Sequence, residues 1–177
     1  ETNIRRKDME RAGVEQALQE VEMLKPGPAD TIVAVTEAHE GVVGIIAARL
    51  KERELCPTIV LTPVEDGMLK GSARSIEGFD IGTAIHDAVD AGIVAKGGGH
   101  FMAAGLTLEA SKLNEFRAFM NEQSRNSEFG RVGPVTMFDA SVDPADIRES
   151  LEAAFTSLEP CGTGNLPPRV LLENIEI

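Results

Sequence analysis

Apolar residues recur along this chain in two rhythms, one suited to helices and one to strands. Val14, Ala17, Leu18, Val21 and Leu24 repeat at three- and four-residue spacing, which predicts a helix over 1–24 that Pro26-Gly27-Pro28 stops. Thr31-Ile32-Val33-Ala34-Val35 is a short β-rich run of the kind buried on both faces. A helical pattern through Val42, Val43, Ile46 and Leu50 follows, and then a second buried-type run, Thr58-Ile59-Val60-Leu61-Thr62. Strand, helix, strand in that order predicts a βαβ unit and a partly parallel sheet.

Beyond a polar turn at 63–67, the rhythm changes to alternation. Over 68–76, Lys70, Ser72 and Arg74 fall on one side of a strand, and Leu69, Gly71 and Ala73 on the other. Asp80 stands at an N-cap position ahead of Ile81, Ala84, Ile85, Ala88 and Val89, and Gly92 ends that helix. A fourth strand is expected over 103–108, and a helix over 110–124 burying Leu113, Phe116 and Met120. Residues 124–133 are polar and aperiodic and read as a linker. A strand over 135–142, a helix over 144–157 and a closing strand from Val170 complete the pattern. The fold class is therefore α/β: residues 30–125 form one domain with a mixed, partly parallel sheet flanked by helices. Residues 1–29 precede it as a connecting helix and linker, and 134–177 begin a second, strand-containing domain.

Composition narrows the picture. The 177 residues are 42% hydrophobic and 26% charged, ordinary for a soluble globular chain. No apolar run reaches membrane-spanning length, so a membrane partner is not expected. Cys56 and Cys161 match no zinc or redox spacing, and read as reduced thiols of a cytoplasmic protein. The chain opens without methionine and ends in a strand without a partner, so it reads as a fragment of a longer protein. A net charge of −12 excludes a general polyanion binder but not a narrow groove of a few placed cations. Arg5, Arg6 and Lys7 suit a solvated helix face, and His86 falls off its helix's apolar stripe and receives no role.

The chemistry concentrates at Lys96-Gly97-Gly98-Gly99-His100. Glycines let the backbone take positive φ and let a ligand meet main-chain N–H groups, so the run suits an anion-holding nest with Lys96 and His100 at its edges. A tight glycine turn with a solvated His100 explains the same residues. On the alternating strand, Lys70, Ser72 and Arg74 suit phosphate contacts, while lysine on an edge strand also guards against aggregation.

Taken together, these pieces resemble a known family. Gly97-Gly98-Gly99-His100 with Ala103-Ala104-Gly105 is similar to the glycine-histidine motif of the DHHA1 domain, which accompanies the DHH phosphoesterase domain. Asn3-x-x-Arg6, the stretch from His39-Glu40-Gly41 to Arg49-Leu50-Lys51-Glu52, and Gly71-Ser72-Ala73-Arg74-Ser75 resemble the RecJ-type branch of single-strand-specific 5′→3′ exonucleases. Leu158-Glu159-Pro160-Cys161-Gly162-Thr163-Gly164-Asn165 is similar to the start of that branch's oligonucleotide-binding (OB) domain, which makes 134–177 a truncated OB-like β segment. The resemblance implies that Gly97, Gly98, Gly99 and His100 hold a substrate phosphate. Arg74, Ser75 and Ser72 would contact the DNA backbone, and His39, Lys70 and Lys96 would face the same cleft. It further implies single-stranded DNA as substrate, DNA-repair proteins as partners, and Mn²⁺ or Mg²⁺ held by a DHH domain that this segment lacks. The fragment would then bind and orient DNA without cutting it, holding no catalytic residue or metal ligand of its own. Base stacking by its second domain is weakened, because Cys161 stands where an aromatic residue is usual and the chain has no Trp or Tyr, leaving Phe138.

Two other readings share some of these features. Nano-RNA or nucleotide phosphatases and cyclic-dinucleotide phosphodiesterases of the same superfamily carry the glycine-histidine motif, ordinarily without an OB segment after it. A non-catalytic binding module would suit the acidic balance, but would not need four basic or titratable side chains in one cleft.

Overall fold

Two β-branched runs make the centre of the first unit, and everything else in it is laid against them. The computed structural model describes residues 2–24, 26–132, 137–144, 147, 149–162 and 165–173, with the side chains of 2–11, 24 and 149–150 outside the described set. The chain divides into two units, Glu1–Pro134 and Val135–Ile177. In the first, β1 (Ile32–Val35) pairs parallel with β2 (Thr58–Pro63), and α2 (Val43–Glu54) is the crossover between them. The predicted βαβ unit is therefore present. Thr58 to Thr62 are buried without a break, because both faces of β2 are covered.

From β2 the sheet continues antiparallel. β3 (Met68–Arg74) pairs with β2, β5 (Ala103–Glu109) with β3, and β4 (Lys96–His100) with β5 at the edge. The order is β1-β2-β3-β5-β4, a mixed sheet as the alternation implied. One strand was not foreseen: the glycine run, read as an anion-holding nest or a tight turn, is β4. None of Gly97, Gly98 and Gly99 has positive φ, so the run forms no nest. Glycine's freedom is used elsewhere, at Gly92 (φ 70°) just past α3 (Ile81–Asp90).

Helices cover the sheet on both sides. α2 lies on β2 and β3, placing Ile46, Ala47 and Leu50 in the core. On the opposite side α3 lies against β4 and β5, starting from the expected cap, where Asp80 Oδ1 accepts the Thr83 N–H at 3.0 Å. α4 (Leu113–Asn126) buries Phe116 and Met120 as foreseen, and its Arg117 donates to the Val33 carbonyl at 2.9 Å. The second half of α1 (Thr2–Leu24) packs on α2 and β1 with Ala17 and Val21 buried, while the side chains of Asn3 and Arg6 lie outside the described set. Each fully buried Ile, Leu or Phe here contributes about 1.5–3 kcal/mol of transfer free energy.

Of the linker expected over 124–133, the described residues 124–132 are instead mostly helical. α4 runs on to Asn126, and α5 (Glu128–Val132) follows with Phe129 buried and its N–H on the Gly78 carbonyl at 3.1 Å. A single phenylalanine among polar residues has no period, and only the opposing bend at Gly78 shows where it goes.

The second unit contains β6 (Ala140–Val142) and β7 (Val170–Leu172), paired parallel, with α6 (Glu149–Thr156) between them in sequence. The loop before β7 is pinned by Asn165, whose side-chain amide donates to the Leu158 and Pro160 carbonyls at 2.9 and 3.0 Å. Thr163, Gly164 and the start of the expected strand at 135–136 lie outside the described residues.

Candidate nucleic-acid interface

Strand pairing decides which predicted residues meet. Across β3, β5 and β4 the register sets Arg74 opposite Ala103 and Ala103 opposite His100. The next rows on the same face are Ser72, Gly105 and Gly98, then Lys70, Thr107 and Lys96. Directly paired residues share a face, so Arg74, Ser72 and Lys70 look the same way as His100, Gly98 and Lys96. The two columns of side chains stand two strands apart, roughly 10 Å. Between them the floor is almost bare. A Cβ built on Gly98 meets nothing within 4 Å, and one on Gly105 meets only the Gly71 carbonyl oxygen at 3.9 Å. Cations along two sides of a glycine trough can hold an extended anionic chain.

The trough has one wall. α2 covers β3 on this face, and Gly44 near its start sits directly over Arg74, where a Cβ would come 2.9 Å from Nη2. Beneath it Arg74 Nη1 donates to Ser72 Oγ at 2.7 Å and to the Ala73 carbonyl at 2.8 Å. Arg74 is thereby fixed in place with no ion-pair partner among the described residues, its charge not neutralised. The first turn of α2 lies on this side, and its N-terminus adds a favourable potential for anions.

Lys70 behaves differently. Its ammonium pairs with Glu40 at 2.8 Å, and that contact, followed by the lysine's charge, lowers the Glu40 carboxyl below its ordinary value. Lys70 and Glu40 share a shallow groove of about 640 Å³ with Lys96, Thr107 and Glu65. Lys96 is exposed and unpaired among the described residues. His100 is exposed, and its Nδ1 accepts the Met102 N–H at 3.4 Å. His39 lies in the loop ahead of α2, exposed, with Nδ1 accepting the Gly41 N–H at 3.0 Å.

Three predicted site residues lie elsewhere. Gly97 and Gly99 alternate to the opposite face, where a Cβ on Gly97 would meet Ile85 of α3 at 2.6 Å and one on Gly99 the Ala103 carbonyl at 2.2 Å. They are glycines because other parts of the protein crowd them. Ser75 is buried, and its hydroxyl donates to the Phe79 carbonyl at 2.6 Å, closing the bend after β3. Sequence reading missed Gly44, Gly105 and Thr107 as parts of the trough. The alternation Ala103, Gly105, Thr107 carried the signal for two of them, but only pairing with β3 and β4 gives it meaning. It also missed Phe101, exposed at the tip of the β4–β5 hairpin.

With this geometry in hand, comparison with known proteins places the chain. The DHHA1 domain family matches residues 30–126, just over half of the sequence. The chain belongs to the DHHA1 family. Among curated relatives, the single-stranded-DNA-specific exonuclease RecJ of Bacillus subtilis is 36% identical over 97% of this chain, and RecJ of Escherichia coli is 48% identical over 49% of it. A crystal structure of RecJ from Thermus thermophilus in complex with Mn²⁺ matches with a TM-score of 0.73 and 29% identity over 96% of the chain. The chain spans only 22% and 15% of those two curated relatives and 24% of that crystallised one. The resemblance read from the motifs is to this same RecJ branch.

The DHHA1 match begins at Asp30, where β1 approaches, and ends at Asn126, the last residue of α4. The trough thus lies wholly inside the matched region. Among the described residues no three His, Cys, Asp or Glu side chains gather in a way that could hold a metal ion. The described residues of the DHHA1 segment thus offer no ligand set for Mn²⁺ or Mg²⁺, which the resemblance assigns to a DHH domain. No helix among the described residues is long and apolar enough to cross a membrane.

Proposed function

We propose that this chain is the single-stranded-DNA-binding portion of a metal-dependent 5′→3′ exonuclease of the RecJ type, acting in DNA repair and recombination in the cytoplasm. The trough on the β3-β5-β4 face is its site. Arg74, steadied by Ser72 and half-buried, grips a backbone phosphate, with His100 and Lys96 flanking the strand on the far column. Gly98 and Gly105 let the sugar-phosphate chain lie close to the sheet. Lys70, tied to Glu40, sets the edge, and His39 borders the site from the loop ahead of α2. Cleavage belongs to the metal-holding part of the longer protein; this portion binds and orients, and 134–177 begins an OB-like domain.

The observation that carries the reading is the register that brings Arg74, Lys70, His100 and Lys96 onto one face over a glycine floor. The test is fluorescence anisotropy with single-stranded and duplex oligonucleotides across a salt series. The chain is expected to prefer the single strand, with affinity falling steeply as salt rises. Arg74→Ala and His100→Ala should each weaken binding about tenfold or more, consistent with losing a charge-assisted phosphate contact. Equal binding by wild type and both variants would sink the proposal. A phosphatase or phosphodiesterase acting on short nucleotides is the weaker reading, because β6, α6 and β7 follow the DHHA1 segment.

A further inference from the structure

A hollow of about 370 Å³ opens at the β4 edge on the α3 side of the sheet, between the β4–β5 hairpin and the first turns of α3. Its lining differs from the trough's. The Phe101 side chain, 46% exposed, forms an apolar wall; Asp80, Thr83 and His86 bring a carboxylate, a hydroxyl and an imidazole; Gly82 and Gly99 add backbone without side chains. The size suits a small flat ligand. A lone exposed phenylalanine is ordinary on a protein surface. Here, however, the backbone beneath it is fixed from two sides. The Phe101 carbonyl accepts the Ile81 N–H at 3.3 Å, and the Met102 carbonyl accepts the Ser75 N–H at 2.9 Å. The tip is thus tied to the end of β3 and the start of α3 while the ring stays in solvent.

Resting on the proposed DNA-binding role, we infer that this hollow is a nucleobase pocket. Phe101 stacks on one base of the bound strand, and Thr83, His86 and Asp80 face that base's polar edge. His100 joins the two sites. It lines the hollow and also ends the trough's row with Arg74 on the edge strand, so a strand that leaves the trough across the β4 edge comes to the hollow. Stacking on a ring is sequence-tolerant, as a binder of unspecified single strands requires. Phe101 is a binding residue in this scheme. The polar trio supplies a modest base preference.

The experiment compares two oligonucleotides of equal length, one normal and one abasic throughout, binding to the 177-residue chain at low salt. Wild type should bind the normal strand at least severalfold more tightly. Phe101→Ala should lose about tenfold on the normal strand, or roughly 1.4 kcal/mol, and nothing on the abasic one. Phe101→Leu, which keeps apolar bulk without a π-face, should fall between, and unchanged thermal unfolding of both variants guards against misfolding. Arg74→Ala should weaken both strands alike. If Phe101→Ala binds the normal strand as wild type does while Arg74→Ala does not, the pocket is wrong and the trough stands. An equal loss on both strands by Phe101→Ala also overturns the pocket. Absence of any single-strand binding by wild type overturns both.

Discussion

The two halves of one sheet obey different rules. β1 and β2 are covered on both faces, and their residues run apolar without a break, from Ile32 to Ala34 and from Ile59 to Leu61. Every residue of the edge strand β4 is exposed, and β3 and β5 are covered fully on one face only. There the buried positions, Leu69, Ala73, Ala104, Leu106 and Leu108, alternate with Lys70, Ser72, Gly105 and Thr107. The covered half contributes stability through area removed from water. The half-open side can hold charge and bare backbone, since hydrophobic burial demands nothing of its outer face. In this chain the candidate chemistry sits where the helix layer over the sheet ends, with α2 over β3 and none of the β4 and β5 trough positions roofed.

Substitutions can break this contrast, and the largest effect belongs to the covered half. Ile59→Ala in β2 should destabilise the chain by about 2–5 kcal/mol in denaturant unfolding, because Ile59 is wholly buried and its cavity cannot fill from solvent. The change should leave DNA affinity of the remaining folded molecules unaltered. Next come neighbouring glycines on opposite faces of β4. Gly99→Ala must displace the Ala103 backbone and should cost on the order of 1–3 kcal/mol, whereas Gly98→Ala meets nothing and should unfold within about 0.5 kcal/mol of wild type. Equal destabilisation by both would show that β4's two faces are not distinct. Gly98→Leu should also fold normally, yet raise the dissociation constant for single-stranded DNA severalfold by filling the trough; unchanged binding would remove the glycine floor from the site.

The smallest effect is expected at the salt bridge. Glu40→Gln frees Lys70 and should tighten single-strand binding about twofold at low salt, the gain vanishing at high salt. The pH dependence has a definite sign. The Glu40 carboxyl titrates below its ordinary value of 4.5 when Lys70 is beside it. The pair therefore stabilises the fold fully above that value, and its contribution is lost as pH falls through the lowered one. At neutral pH the pair is intact, so wild type and Glu40→Gln should differ there and converge once the wild-type carboxyl is protonated.

Much of the fold was legible because local rules agreed with the global result. The βαβ unit followed from two β-branched runs around a helical period, and the start of α3 followed from Asp80. The one-sided row of Lys70, Ser72 and Arg74 followed from alternation alone. The glycine run was misread because glycine's freedom suggests a nest or a turn, while here its small size is what matters. Gly97 and Gly99 are small to admit α3 and the hairpin backbone, and Gly98 is small over open space. Ser75 was misassigned for a related reason: its neighbour Arg74 points into the trough, so alternation sends Ser75 inward to Phe79.

The sequence by itself determined most of the helices and strands, though not β4 or α5, and which face of β3 carries cations, since side-chain period and capping act over a few residues. Only the tertiary structure decided that β5 lies between β3 and β4, and so which residues face one another across the trough. Pairing of strands distant in sequence depends on how the helices bury the other face of the sheet, and no short window of residues contains that information.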